Sequence, residues 1–435
     1  MRKIVRVLIV FTLLLIVRGN LIAQDTLDYY NPSFLRYDNH IYKPEIKTVI
    51  LERKDRTLSE PVIGLGMDEV LLLKFDELGE ETKDYSYRFI HCDAVWQPSQ
   101  LSESDFIDGF FNDHIINYRH SLSTNFPYIH YELEFPNQQM RPLYSGNYLL
   151  VVYENDQPDL AVISRRFWVT ENRVDIKPTI HRATAIESRD AYQEVDFMIN
   201  TNTLKVQNPY TDFKVTITQN NRNDIAIYNL KPLFVKDNEL DYNFEDGNLF
   251  QAGNEFRNFD IRSVRFQTQY TEKIELDSAQ HYHVYLKGDP RKATQRYSIT
   301  DDINGKYLIK VYEGREGDLE GEYVYVHFRM PVMEPFENAN LFIFGQLTDW
   351  TLPTWSRFFY DAEKGEYNLT LLLKQGYYNY EYLLMSTGKN QGETFETEGN
   401  HFETENDYQF YVYYREPAGR YDRLVGFKRG NSKGN

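Results

Sequence analysis

The residues best suited to chemistry form three small groups. His91, Cys92 and Asp93 are consecutive, an imidazole, a thiol and a carboxylate, the parts of a nucleophile or a metal site. His281 and His283 are two apart, and DYNFEDGN (241–248) sets out Asp241, Asn243 and Glu245 at the alternate spacing of a calcium loop. Each group fails on geometry. Neighbours on a strand face opposite sides, so His91 and Cys92 cannot face one another or share an ion with Asp93. His281 and His283 do share a face, but a zinc site needs three or four ligands and no CxxC or HxxxH accompanies them. In 241–248 the glycine comes one place late for the tight turn, and no Glu closes a loop twelve residues long. Cys92, the single cysteine, ends the aromatic strand YSYRFIHC and reads as a small buried hydrophobe.

Nucleophile elbows and phosphate-cradling glycine loops are absent from the sequence. The 65 acidic residues make carboxylate pairs inevitable, but no local pattern selects one. The chain therefore reads as non-enzymatic, with no metal or other cofactor. One further stretch bears on ligands. In LFIFGQLTDWTLPTW (341–355), an apolar strand stops at Gly345 and a Pro-containing loop carries Trp350 and Trp355. Two exposed indoles could stack on sugar rings. The polar triad that would hold glucan hydroxyls is missing, so both Trp residues are expected to be mostly buried or packed on the neighbouring loop, and a small-molecule ligand is not expected.

The elements that position these residues are strands. KTVILERK (47–54), PVIGLG (61–66), EVLLLKFD (69–76), YSYRFIH (85–91), YIHYELEF (128–135), GNYLLVVYEN (146–155) and VISRRFWV (162–169) alternate apolar and polar, about the number an immunoglobulin-like sandwich requires. A second series contains EVDFMINT (194–201), DFKVTITQ (212–219), FRNFDIRSVRF (256–266), YHVYLKG (282–288), GKYLIKVYE (305–313) and YVYVHFRM (323–330), with Asn304-Gly305 as a turn signal. PVMEPFENAN (331–340) reads as a linker. A third series contains LFIFG, EYNLTLLLK (366–374), YYNYEYLL (377–384) and YQFYVYYR (408–415). The expected architecture is all-β: tandem immunoglobulin-like or early-set β-sandwiches over 44–172, 173–335 and 336–416, with a basic flexible tail over 417–435.

One segment interrupts the regular spacing. Residues 99–127 are too long for a hairpin loop and carry Phe106, Ile107, Phe110, Phe111, Ile115, Ile116 and Tyr118 among Asp105, Asp108 and Asp113. So apolar a segment either caps its own sandwich or meets a partner. Phe110 and Phe111, just after Gly109, are the candidate partner contacts.

The amino-terminal end addresses the chain. Arg2, Lys3 and Arg6 precede an apolar run from Val7 to Val17, too short to span a bilayer, and Leu21-Ile22-Ala23 precedes the expected mature start near Gln24. Residues 1–23 read as a signal peptide and 24–43 as an extended lead-in. With Cys92 alone there is no disulfide and no cysteine near the mature start to take a lipid, so a periplasmic location without a direct lipid anchor is expected. The formal net charge is −17, which disfavours nucleic acid and anionic membranes. The 35 tyrosines and 28 phenylalanines exclude a disordered chain.

Several stretches resemble a known family. FIHCDAVWQPSQL, DGF, SGNYLLVVYEND, VQNPYTDFKVTITQNNR, LKP, GNEFRNFDIRS and DDINGKYLI, in that order, are similar to the plug-protein family of the type IX secretion system of Bacteroidota, first catalogued as a domain of unknown function. FIFGQLTDW and GEYNLTLLLKQGYYNYEYLL resemble the early-set sandwich of glycogen-binding modules. The first resemblance implies a periplasmic protein that closes the periplasmic end of a large outer-membrane translocation barrel and associates with the outer membrane through that partner. It brings no catalytic residues. The second implies, as the alternative, a periplasmic carbohydrate-binding protein.

Overall fold

The computed structural model describes residues 34–434 apart from 202, 203, 245 and 390. The expected signal peptide, the first half of the lead-in, and Glu245 of the calcium-like loop lie outside the described residues. Strands make up 47% of the structure and helix 6%. The alternation read in the sequence becomes inward and outward faces. In Leu71–Leu78, Leu71, Leu73 and Phe75 are fully buried while Leu72 and Lys74 are half-buried on the other side.

Three sandwiches result, each with its own core. In the first, Ala161–Thr170 and Gly146–Glu154 lie between His40–Ile41 and Tyr85–Cys92, and Val62–Gly64 joins Ala161–Thr170 in parallel. The facing sheet runs Ile46–Arg53, Leu71–Leu78, Tyr128–Phe135, Asn117–His120. The core between them draws on residues 46 to 169. In the second, Asp175–Arg182 and Tyr192–Asn200 with Glu239–Asp241 face a sheet ordered Arg222–Leu230, Phe213–Gln219, Asp407–Tyr414, Arg423–Asn431. In the third, Gly376–Ser386 pairs with Arg257–Asp260, Tyr307–Ile309 and Ala339–Phe344, and faces Thr271–Leu276, Tyr282–Leu286, Tyr323–Pro331, Glu366–Lys374 and Phe359–Asp361.

This order corrects the domain limits expected after residue 172. Strands from 257 to 331, expected in the second sandwich, build the third core with Leu341, Ile343 and Tyr382. Residues 331–340 are a loop inside that sandwich rather than a linker. Asp407–Tyr414 belongs to the second sandwich, where it pairs with Phe213–Gln219 along its whole length. The expected tail over 417–435 contains the edge strand Arg423–Asn431, with Leu424 and Val425 fully buried. Sandwich three is thus inserted into sandwich two. Asn304-Gly305 is a turn as the sequence implies, with φ of 51° and 74°. Only glycine fits second, because a Cβ there would stand 2.3 Å from the Trp350 ring.

The sandwiches are locked together by buried polar groups. Between the first and third, Asp76 accepts from Lys374 Nζ (2.6 Å) and Tyr323 Oη (2.7 Å), and its other oxygen is 2.6 Å from His130 Nδ1. Tyr323 donates to Asp76, so Thr48 Oγ1, 2.6 Å away, donates to Tyr323. Lys374 also reaches the Asp318 carbonyl and lies 4.1 Å over the Tyr128 ring. Burial pushes the Asp76 carboxyl up, but the Lys374 charge and the His130 contact prevail and hold it below the usual carboxylate range. Between the second and third, Arg222 makes a two-pronged contact with Asp224 (2.7 and 3.1 Å) and a single bond to Glu381 (3.0 Å). Burial pushes Glu381 up to about 7 despite Arg222, aided by the nearby Glu398. The seam between the first and second is aromatic: Trp168 stacks on Tyr411 (4.9 Å) and Tyr144 on Tyr421 (4.9 Å). Where all three meet, a cavity of about 260 Å³ is lined by Arg165, Lys306, Asp349 and Trp350 among others. Two ion pairs line it, Arg165 with Asp349 (3.0 Å) and Lys306 with Glu60 (3.2 Å).

Candidate functional site

The long segment of the first sandwich alternates between anchoring and display. Ser102 and Asp105 form a capping box that starts a single helical turn, Glu103–Phe106. That turn delivers Phe106 and Ile107 into the core, where both are buried. Ile107–Gly109 then pairs antiparallel with Met140–Pro142. At Gly109 the chain turns with φ 105°, and a Cβ would sit 2.1 Å from the Gln139 carbonyl oxygen, so no other residue fits. Phe110 N donates back to that same oxygen (2.8 Å).

Display follows. Phe110 is 63% exposed and Phe111 41%, and Ile116 and Leu143 are exposed too. Leu143 is exposed at the other end of this short pairing, where its N–H donates to the Phe106 carbonyl (2.8 Å), while Phe110 lies opposite Gln139. The rim is charged: Asp108 pairs with Arg141 (3.0 Å) and Asp105 with Arg420 (3.4 Å). The chain is then sewn down again. Asp113–His114 pairs with Ser86–Tyr87, Ile115 is buried, and Asn117–His120 adds an edge strand to the second sheet. Beyond it, Asn125 N and Phe126 N donate to Glu322 (2.5 and 3.0 Å), and Phe126 stacks on His281 at 4.1 Å. The segment both caps its sandwich and presents two adjacent aromatic rings on a backbone held from both sides.

The other candidates resolve as follows. Trp350 is half-buried and packs edge-on against Phe344 and Phe256. Trp355 departs from expectation: it is 53% exposed, because the short 3-10 turn Thr354–Ser356 buries Ser356 and turns the indole outward. Trp350 is held in the packing, so these two rings do not form a two-ring platform. Cys92 is fully buried against Trp96, Leu149 and Val151, and burial pushes its thiol up to about 12. His91 faces the opposite side, between Phe106, Tyr148 and Tyr421, and burial lowers it to about 4. They form no thiolate–imidazolium pair. His281 and His283 both approach Asp277 Oδ2 (3.6 and 3.4 Å), and His283 Nδ1 lies 2.9 Å from His327 Nε2. In the calcium-like loop, Asp241 accepts from Asn243 N (3.0 Å), a polar turn. Gln139 was missed by sequence reasoning: it lies 29 positions from Phe110, and only the short Met140–Pro142 pairing brings its carbonyl to the Phe110 N–H. No helix among the described residues is long and apolar enough to cross a membrane.

Comparison with known proteins gives this geometry a context. Residues 46–171, the first sandwich, match the family model described as the first domain of the type 9 secretion system plug protein. A crystal structure of a hypothetical protein from Parabacteroides merdae, at 2.30 Å resolution, is 33% identical and superposes with a TM-score of 0.88, covering 91% of this chain and 100% of its own. A Pseudomonas fluorescens alkylpurine DNA glycosylase bound to abasic-site DNA aligns over 29% of this chain and 30% of its own, at 13% identity and a TM-score of 0.17, and carries no argument. No curated protein matches.

Proposed function

We propose that this chain, which belongs to the type 9 secretion system plug protein family and has a role in that system, closes the periplasmic end of the outer-membrane translocation barrel. It does so without catalysis, as an exported periplasmic protein held at the outer membrane through the barrel rather than through a lipid of its own. The observation that carries the reading is the ledge. Phe110 and Phe111 stand 63% and 41% exposed on a turn that Gly109 and the Gln139 carbonyl hold in one shape. A rigid ledge loses little conformational entropy on docking, and a few central aromatics carry most of the energy of such contacts. Three sandwiches joined by buried polar and aromatic seams supply a body that resists deformation, as a seal requires.

The test is the double variant Phe110→Asp, Phe111→Asp, with the barrel complex isolated from detergent-solubilised outer membranes. The variant is expected to keep the wild-type melting temperature within about 2 °C, since exposed substitutions away from special features change stability by less than about 0.5 kcal/mol. Its recovery with the barrel is expected to fall at least tenfold, the loss of a hot spot worth about 2 kcal/mol. Wild-type recovery by the folded variant would remove the ledge as the contact.

A further inference from the structure

The second sandwich holds a cluster that the ledge does not use. Asp175–Arg182 and Tyr192–Asn200 are antiparallel neighbours, with His181 opposite Glu194 and Thr179 opposite Asp196. Val195 and Phe197 of the second strand enter the core, so Glu194 and Asp196 share the other face with His181. His181 Nε2 lies 2.9 Å from Asp196 Oδ2 and 3.9 Å from Glu194 Oε1. We propose that His181, Glu194 and Asp196 bind a divalent transition-metal ion, with Zn²⁺ the best match.

The hydrogen bonds orient all three groups. His181 Nδ1 is 2.8 Å from the Arg182 carbonyl oxygen. A carbonyl cannot donate, so Nδ1 carries the proton and the Nε2 position is the one turned to the two carboxylates. A ligating histidine is usually fixed in this way, by giving its second N–H to a backbone carbonyl. Each carboxylate is likewise held by its far oxygen. Glu194 Oε2 accepts from Thr184 N (2.7 Å), and Asp196 Oδ1 accepts from Asn248 Nδ2 (2.9 Å). One oxygen of each remains for the shared point. Three ligands around zinc at about 2.0–2.2 Å stand about 3.3 Å apart, and the separations of 2.9 and 3.9 Å bracket that spacing.

Charge supports the assignment. The Glu194 and Asp196 side chains are 3% and 11% exposed, and among the described residues no Lys or Arg pairs with either. Two buried carboxylates side by side need a compensating cation. The cluster His130, Glu132 and Asp318 makes the contrast. There Lys74 already pairs with Asp318 (2.7 Å), Arg119 with Glu132 (3.6 Å), and Asp76 occupies His130 Nδ1. The protein supplies the cations itself. Around His181, among the described residues, Arg182 is turned to Asp190, and a doubly protonated His181 would be the protein cation in contact with the two carboxylates. One nitrogen with two oxygens suits zinc better than calcium or magnesium, which take six or more oxygens or keep several waters. His181 is 38% exposed, which leaves the fourth position to water. A bound ion would tie the strand ends across the 183–191 turn, so binding should raise thermal stability.

The experiment uses the full chain after EDTA treatment and dialysis. Titration with ZnCl2 is expected to show one saturable site and an upward shift of several degrees in melting temperature, while equal Ca²⁺ or Mg²⁺ gives neither. Co²⁺ in place of Zn²⁺ is expected to give the visible absorption of a tetrahedral ion, a readout that needs no variant. His181→Gln and Asp196→Asn are each expected to weaken Zn²⁺ at least tenfold, whereas His283→Gln leaves it unchanged. The proposal is overturned if the wild-type chain takes up no Zn²⁺, which would leave a doubly protonated His181 as the compensating charge. It is overturned equally if binding survives in folded His181→Gln, or is lost in His283→Gln instead.

Discussion

Asp76 and Glu381 are both carboxylates buried in a seam against the third sandwich, and both have a cationic partner, yet burial wins at only one. Asp76 takes Lys374, Tyr323 and His130 as partners, and stays below the usual carboxylate range. Glu381 takes one bond from an Arg222 whose guanidinium is already engaged twice by Asp224, with Glu398 adding repulsion, and is pushed up to about 7. The lesson is that one ion pair does not offset the desolvation of a buried carboxylate, whereas a shell of donors does. The two seams respond to pH in opposite senses as a result.

Removing a member of the stronger shell should have the largest effect. Lys374→Met leaves the Asp76 charge buried with only its Tyr323 and His130 hydrogen bonds, and is expected to cost about 3–5 kcal/mol in urea unfolding at neutral pH. A cost below about 1 kcal/mol would break the comparison, since it would mean that Asp76 does not depend on its donors. The weaker seam should show itself through pH. The folded-state value for Glu381 lies above that of the unfolded chain, so its contribution to stability is present below about 4.5 and is lost as pH rises through about 7. Glu381→Gln should therefore remove, between pH 5 and pH 8, a decline on the order of 2 kcal/mol that the wild type shows. Parallel pH profiles for the two proteins would contradict this. Asp76 works the other way, and its contribution is lost only as pH falls below about 4.

The smallest effect belongs to the outermost link of the stronger shell. Thr48 has φ 53°, an unfavourable value for a β-branched residue, and sits where the register between Ile46–Arg53 and Leu71–Leu78 slips. That bulge brings its hydroxyl to Tyr323. In Thr48→Gly the relief of strain, about 1 kcal/mol or more, offsets a lost hydrogen bond of about 1 kcal/mol. Net stability should change by less than about 1 kcal/mol in the same unfolding experiment. A larger loss would show that Thr48 polarises the Tyr323–Asp76 contact and would sharpen the view of the shell as one cooperative unit.

The strands were legible because alternation is local: Leu71, Leu73 and Phe75 point inward as their spacing implies. The all-β class and the first sandwich followed from that pattern alone. The later limits did not, because Phe213–Gln219 takes its partner at Tyr408–Tyr414, and nothing in either stretch names the other. The ledge was half legible. Composition marked 99–127 as unusual, and Gly109 marked the place where Phe110 and Phe111 emerge. That Phe106 and Ile115 go inward while Ile116 goes outward is set by pairing with Met140–Pro142 and Ser86–Tyr87, which lie outside the segment. His181, Glu194 and Asp196 escaped notice because their proximity depends on the register of a hairpin, a one-residue slip of which would send the carboxylates to the core. Trp355 was misjudged because the sequence of a loop carries little information about which side of a turn faces water.

The insertion of one sandwich into another dictates an order of assembly. A chain emerging from its amino-terminal end can complete the first sandwich once residue 170 is available, and the third once Gly376–Ser386 has formed. The second must wait with Phe213–Gln219 unpaired on one side until residues 407–431 arrive to cover it. During that interval the strand is an open edge, the kind of surface that recruits other chains. A product cut short before residue 407 would keep that edge for good while its other two sandwiches fold, so the last strands act as a check on completeness. Only a chain that extends through residues 407–414 has Phe213–Gln219 paired on both sides.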